Sequence, residues 1–301
     1  MLPVLSIITP IYNGERFIDR YSHSLLRIDP KNRYKVEIIL IDDGSTDNSL
    51  NRIRQYESEQ EGFNSITVIH QENGGSAAAK NTGLNQAVGK WILFLDVDDE
   101  LANDPMDSVM DAQQETCLLY PVEIIKNGLK HKRFNPPNIK QSKLYDLFTA
   151  QNPLTQSSII FKKETLIKYF DINKRYLEDW LFWLKNLRIF DHYKIIHNHT
   201  IALIHAHDEN KSSQYRQIGV YRSMIAKEIL DTKNISLTAK QKHNLIIQYR
   251  IGRILSHNEK SYRDFFRYPC NTSLWFKLLI YSFFYKSFKQ FDYYQSHETE
   301  L

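Results

Sequence analysis

With 301 residues, 42% hydrophobic and 25% charged, the chain has the composition of an ordinary folded protein and the length for a sizeable core. A net charge of +4 is too mild to argue for a nucleic-acid binder. The two cysteines, Cys117 and Cys270, stand far apart without a metal-type spacing, which argues for a reducing compartment and against a structural disulfide.

The opening "MLPVLSIITPIYNGERF" lacks the basic leader, long apolar core and cleavage site of a signal peptide. No run approaches the roughly 20 apolar residues that cross a bilayer. The chain therefore reads as cytoplasmic, without a transmembrane segment. Its first hundred residues alternate apolar strands with helices. "VLSIITPIY", "KVEIILIDD", "SITVIHQ" and "KWILFLD" are predicted strands. "ERFIDRYSHSLLRI", with Phe17, Tyr21, Leu25 and Ile28 at helical spacing, "TDNSLNRIRQYESE" and "SAAAKNTGLNQAV" are predicted helices. Continuous apolar strands alternating with helices predict an α/β fold, a mostly parallel sheet covered on both faces. Ligands of such sheets sit beyond the carboxyl ends of the strands, which is where the unusual residues fall. The middle, from about 115 to 215, reads as mixed α and β. "TCLLYPVEIIKNG" and "QSSIIFKK" are predicted strands, "EDWLFWLKNLRIF" a helix, and "YKIIHNHTIALIHAH" a strand pair. From about Tyr215 three helical stretches follow, so a boundary is placed there: a domain over 1–214 and a helical region over 215–301.

Each strand end carries a candidate. In "ITPIYNG", Pro10 and Asn13-Gly14 end the strand and expose Tyr12, although a plain strand-to-helix loop explains this equally. In "IDDGSTDNS", Gly44 permits a tight turn, Ser45 or Thr46 can cap the next helix, and Asp47 suits its dipole. Capping uses one side chain, which leaves Asp42 and Asp43 unexplained; a carboxylate there can accept the N–H of a base such as uracil. In "ENGGSAAAKNTG", Gly74 and Gly75 allow close backbone approach, the alanines leave the helix N-terminus uncrowded, and Lys80 adds a charge suited to a diphosphate. Tight helix–sheet packing explains the same small residues. The segment is neither a dinucleotide fingerprint nor a Walker loop.

"WILFLDVDDEL" ends a buried strand in Asp96, Asp98 and Asp99. Like charges this close repel, and hard oxygen ligands at this spacing suit Mg²⁺ or Mn²⁺ completed by a substrate diphosphate. A solvated acidic turn is the plain alternative. In "RYLEDWLFWLK", Glu178 and Asp179 open an apolar helix, either as dipole-complementing acids or as a catalytic base desolvated by neighbours such as Trp180. His205 and His207 alternate on a predicted strand and share a face, from which one can reach a metal or phosphate.

Taken in order, "SIITPIYNG", "IDDGSTDNS", "ENGGSAAAKNTG", "FLDVDD" and "LEDWLF" resemble the family 2 glycosyltransferases of bacterial polysaccharide type, over residues 4 to about 213. The resemblance implies the GT-A fold and transfer of a sugar, with inversion, from a nucleotide-sugar (UDP-linked by expectation) to an acceptor hydroxyl. It implies a Mn²⁺ or Mg²⁺ cofactor, and a glycan, lipid-linked or glycoprotein acceptor. Pro10, Tyr12, Asn13, Asp42, Asp43, Gly74, Gly75, Lys80, Asp96 and Val97 would bind the donor. Asp98, with Asp96 and His207, would hold the metal, Asp99 being a supporting or solvated member. Asp179, paired with Glu178, would be the base. The family usually has Arg where this chain has Lys80; Lys keeps the charge without the planar fork.

The stretch "TSLWFKLLIYSFFYKSFKQF" is aromatic and basic. It reads as a helix packed on the catalytic domain or on another copy, with peripheral contact on the inner face of the cell membrane as the rival. Two other functions compete: a different nucleotide-sugar enzyme such as a nucleotidyltransferase, and a non-catalytic protein that keeps the fold. The first would want a Gly-rich basic loop near the N-terminus; the second is disfavoured by intact Asp98 and Asp179.

Overall fold

The computed structural model describes residues 2–138, 141–206, 215–232 and 237–256. In chain order the elements are β1 (Leu5–Ile11), α1 (Glu15–Leu25), α2 (Pro30–Arg33), β2 (Val36–Asp43), α3 (Ser49–Glu59), β3 (Ser65–Gln71), α4 (Ser76–Gln86), β4 (Trp91–Phe94) and β5 (Glu100–Leu101). Then come α5 (Met106–Asp111), β6 (Cys117–Leu119), β7 (Val122–Lys126), β8 (Leu129–Phe134), α6 (Gln141–Ala150), β9 (Ile159–Lys162), α7 (Glu178–Lys185), β10 (Tyr193–Ile195) and β11 (Ala202–Ala206), with α8 (Tyr215–Asp231) and α9 (Ala239–Leu255) after them.

The chain divides into two units, one of Met1–Phe148 with Asn152–His207, the other of Thr149–Gln151 with the chain from Asp208. In the first unit a seven-stranded sheet runs β10-β6-β9-β4-β1-β2-β3. Its strands β1 to β4 pair in parallel, and β9 is the one strand that runs against its neighbours β4 and β6. The parallel strands are buried throughout at β1, β2 and β4 apart from Pro10, which is why they read as unbroken apolar runs. Pro10 lies past the last β1–β4 pair, Ile8 with Phe94, so its missing N–H breaks no ladder on that side.

Alternate residues of each strand feed opposite layers. Leu5, Ile7, Ile38 and Leu40 join Ile18, Tyr21 and Leu25 of α1 and Ile53 of α3 in one core. Gly83 of α4 presses on Ile8 and Ile41, the residues of the opposite face. On that face α7 is seated by an aromatic cluster in which Phe170 stacks on Phe182 at 4.0 Å between centroids and Phe94 meets both edge-on. Each fully buried ring contributes about 1.5–3 kcal/mol.

A second, four-stranded sheet, β5-β11-β7-β8, was not among the expected elements. The predicted strand "TCLLYPVEII" divides at Tyr120-Pro121, sending β6 to the large sheet and β7 to the small one. β5 is two residues long and β8 is "LKHKRF", mostly exposed, so neither carries an apolar signature; main-chain pairing recruits them.

The described part of the second unit is α8 with α9. They pack on each other: a Cβ on Gly252 would lie 2.6 Å from the carbonyl oxygen of Gly219, so the backbones nearly touch, and Ile225, Ile229, Leu245 and Tyr249 are buried. Among the described residues no helix is long and apolar enough to cross a membrane. The aromatic stretch from Thr272, and Cys270, lie outside the described residues; Cys117 is a free, buried thiol.

Candidate active site

The site gathers where β1, β2 and β4 end. The first loop is closed by Asn13, in a left-handed conformation (φ 50°) that asparagine tolerates. Its Oδ1 accepts from the Thr46 amide at 2.8 Å and its own amide donates to Ser45 Oγ at 3.0 Å. Asn13 is thus a strut between the first two loops rather than an open ligand. Tyr12 beside it is half exposed. Ser45 and Thr46, expected as caps of α3, are spent on this strut. Asp47 does the capping instead: its Oδ1 accepts from the Ser49 amide, and its Oδ2 from the Glu15 amide at the start of α1.

The paired acids of β2 divide their work. Asp42 is fully buried, and its Oδ2 lies 2.6 Å from His70 Nδ1. Asp43 accepts from the amides of Gly74 at 2.9 Å and Gly75 at 2.8 Å, and from Gln71 Nε2 at 2.7 Å. The Gly74 and Gly75 amides, expected to face a diphosphate, here face a carboxylate. Gly44, at φ +71°, makes the turn possible: a Cβ there would stand 2.8 Å from the amide nitrogen of Asn73.

Lys80, expected as a charge suited to a diphosphate, is only 3% exposed. Its ammonium donates to Gln156 Oε1 and lies 3.8 Å from both Asp96 Oδ1 and Glu178 Oε1. The ring of Phe170 lies 5.6 Å below it, pinned by two hydrogen bonds between its backbone and the Asn81 side chain. Burial works against the charged lysine, but the carboxylates of Asp96, Glu178, Asp179 and Asp98 outweigh it and hold the pKa above its ordinary value.

Asp96, Asp98 and Asp99 each bring one carboxylate oxygen to within 4.8 Å of the others. Hard oxygens at that separation fit a Mg²⁺- or Mn²⁺-sized ion. The side chain of Asp96 is partly open, and Arg20 donates to the Asp98 carbonyl at 2.5 Å. Asp99 corrects the solvated reading: it is buried, accepts from the His205 amide at 3.2 Å, and ties the turn to β11. Burial, followed by the charges of Asp98 and Asp96, pushes its carboxyl well above the usual range. Val97, expected beside the donor, is a core residue packed on Gly14.

His205 points to Glu100, with 2.7 Å between Nε2 and Oε1. Burial lowers its pKa against the pull of the Glu100 carboxylate. His207 lies outside the described residues.

α7 opens on Leu177, itself left-handed at φ 56° and an uncommon conformation for leucine. Strain of this kind gathers at functional sites and costs about 1–3 kcal/mol. It delivers Glu178 and Asp179 together. Asp179 Oδ1 accepts from the Trp180 amide and Oδ2 from Asn152 Nδ2, both at 2.8 Å. Burial, then the charge of Glu178, pushes its carboxyl up to about 6 against the pull of Lys80. Sequence reasoning missed Arg20, Asn81, Asn152, Gln156 and Phe170. Asn81 stands inside "ENGGSAAAKNTG" but without a signal of its own; the other four stand outside the motifs, and only the fold brings them here.

The family model described as "Glycosyl transferase family 2" matches residues 6–172. The "Uncharacterized glycosyltransferase EpsJ" of Bacillus subtilis (strain 168) is 33% identical over 145 residues, which cover 48% of this chain and 40% of that protein. The chain thus spans well under half the length of that relative. Among solved structures, S. aureus TarS 1-349 in complex with UDP superposes with a TM-score of 0.62 at 18% identity, covering 97% of this chain and 93% of that one. The mannosyltransferase PcManGT from Pyrobaculum calidifontis, in complex with GDP-Man and Mn2+, gives 0.61 at 13% identity, covering 96% and 84%. At these identities the likeness is one of fold.

Proposed function

The chain belongs to glycosyl transferase family 2 and has the GT-A fold, and from that premise we propose that it transfers a sugar from a nucleotide-sugar to an acceptor hydroxyl by a single, inverting displacement. The observation that carries this reading is the convergence on Lys80. Its ammonium is 3.8 Å from Asp96 on the strand-end turn and 3.8 Å from Glu178 at the head of α7, so donor-type and base-type groups from distant segments share one cluster.

The roles follow from the chemistry of each group. Asp179, with a carboxyl near 6, is largely ionised at neutral pH yet basic enough to take the proton of an attacking hydroxyl. Two fixed donors hold its carboxylate in place, so no reorganisation accompanies the transfer. Lys80 sets a buried positive charge beside the departing diphosphate. Asp98 and Asp96 would hold a divalent ion, which when bound compensates charge on the leaving group. UDP in one fold neighbour, and GDP-Man with Mn2+ in another, support a nucleotide donor and a metal of this kind. By the same resemblance Asp43 and the exposed Tyr12 would border the base. The acceptor is of the glycan class, and the domain ends near residue 214.

A donor screen tests the proposal. Nucleotide release is followed across UDP-, GDP- and dTDP-sugars, with Mn²⁺ and with chelator. Release from at least one donor, dependent on metal and on Asp179, is the expected result. Release that is indifferent to Asp179→Asn would remove Asp179 from its role.

A further inference from the structure

Resting on that reading, we infer that the segment from Asn152 to Gln156 recognises the transferred sugar, with Gln156 donating to it and Asn152 accepting from it, and that the sugar is a neutral hexose or acetamidohexose.

This segment follows α6 and holds three buried side-chain polar atoms that have no hydrogen-bond partner among the described residues: Asn152 Oδ1, Thr155 Oγ1 and Gln156 Nε2. Gln156 is 8% exposed. The opposite ends of the two amides are engaged by the groups that flank the reaction. Gln156 Oε1 accepts from Lys80 Nζ, and Asn152 Nδ2 donates to Asp179 Oδ2 at 2.8 Å. These partners fix both orientations. A reversed Gln156 would set its NH₂ against an ammonium, and a reversed Asn152 would set its oxygen against a carboxylate.

Holding Lys80 and Asp179 in place accounts for one end of each amide and leaves the other ends unexplained. A buried polar atom without a partner costs about 1–3 kcal/mol, and natural folds tolerate few. Three lie within five residues, Asn152 beside the candidate base, Gln156 beside the buried lysine and Thr155 next to Gln156 in the chain, and they form a set: an N–H donor, a carbonyl acceptor and a hydroxyl able to do either. Adjacent sugar hydroxyls, or a hydroxyl and an acetamido carbonyl, match it. An anionic sugar does not. Glu178, Asp179 and Asp96 border the place, and the charge of Lys80 is already shared between Asp96 and Glu178.

Calorimetry with Mn²⁺ on the full chain tests this, using UDP, GDP, UDP-glucose, UDP-N-acetylglucosamine, UDP-glucuronate and GDP-mannose. Gln156→Glu keeps the oxygen that faces Lys80 and reverses the polarity of the other end; Gln156→Leu removes both. The added charge beside Lys80 acts on both ligands, and the expected result is that Gln156→Glu weakens the preferred neutral sugar nucleotide about 10–100-fold more than it weakens the matching nucleoside diphosphate, the size of one lost buried hydrogen bond. Gln156→Leu is expected to weaken both ligands. The inference is overturned if Gln156→Glu weakens the nucleoside diphosphate in parallel, if it leaves the sugar nucleotide unaffected, or if wild type prefers the glucuronate. A wild-type protein that binds none of the six ligands overturns the functional reading itself and this inference with it.

Discussion

Replacing Asn152 with alanine probes the electrostatics of the candidate base. The Asp179 carboxyl sits near 6 because burial and then Glu178 push it up, while Lys80 and the hydrogen bonds from Trp180 and Asn152 hold it down. A base works only when ionised. At pH 6 about half the molecules are competent and at pH 7 about nine tenths, so the acidic limb of kcat/KM should bend near pH 6. Asn152→Ala deletes a donor that favours the ionised form. A hydrogen bond to a charged group is worth about 1.5–3 kcal/mol, and 1.36 kcal/mol is one pH unit. Water enters the space left by the truncation, so the lower end applies and the limb moves up by about one unit. After each profile is normalised to its alkaline plateau, the variant should run about fivefold below wild type at pH 6 and match it at pH 9. Initial rates of nucleotide release from pH 5 to 9 supply the comparison. A limb that stays in place, or moves down, refutes the assignment of Asp179 as the titrating base.

Asp179→Asn should lower turnover by about 10²–10⁴ while calorimetry finds nucleotide affinity nearly unchanged. The same substitution should stabilise the ligand-free protein. A carboxyl raised in the folded state binds more protons there than in the unfolded chain, so wild-type stability falls as pH rises from about 4 to about 6. Asn escapes that fall, and its melting temperature at pH 8 should exceed wild type by the equivalent of about 1–3 kcal/mol. Asp98→Ala should weaken Mn²⁺-dependent donor binding and leave binding in chelator unaltered, read by titration in both conditions. Gly83→Ala places a methyl 2.3 Å from Ile8 Cγ2, and chemical denaturation should record a loss of about 1–3 kcal/mol with the site chemistry intact.

The parallel half of the large sheet was legible because both its faces are covered, which forces unbroken apolar runs. The small sheet was not: β8 reads "LKHKRF", and strand pairing with β7 rather than burial holds it. Motif residues were legible by type, but their states were not. Lys80 and Asp99 are both buried, which the sequence could not show, since burial depends on what arrives from elsewhere: Gln156 and Phe170 over the lysine, β11 against the aspartate. The amides of Gly74 and Gly75 were assigned to a phosphate because glycine marks close approach. Sequence cannot say what approaches, and here it is Asp43.

These buried states share a cause. Asp96, Asp98, Glu178 and Asp179 act on one buried lysine, Asp99 adjoins Asp96 and Asp98, and two of the five, Asp99 and Asp179, are pushed toward their neutral forms. Such crowding opposes folding above the pH at which the carboxyls ionise. The fold withstands it through contacts that lie apart from the cluster: the core that α1 and α3 make with β1 and β2, the packing of α4 on β1 and β2 at Gly83, and the strut from Asn13 to Thr46. A partner that brings positive charge to the strand-end turn would relieve the repulsion, and one that brings paired donors and acceptors to Asn152 and Gln156 would satisfy the orphaned ends of those two amides. Repulsion held in check by distant packing thus gives ligand binding a gain in fold stability, largest where the carboxylates are closest.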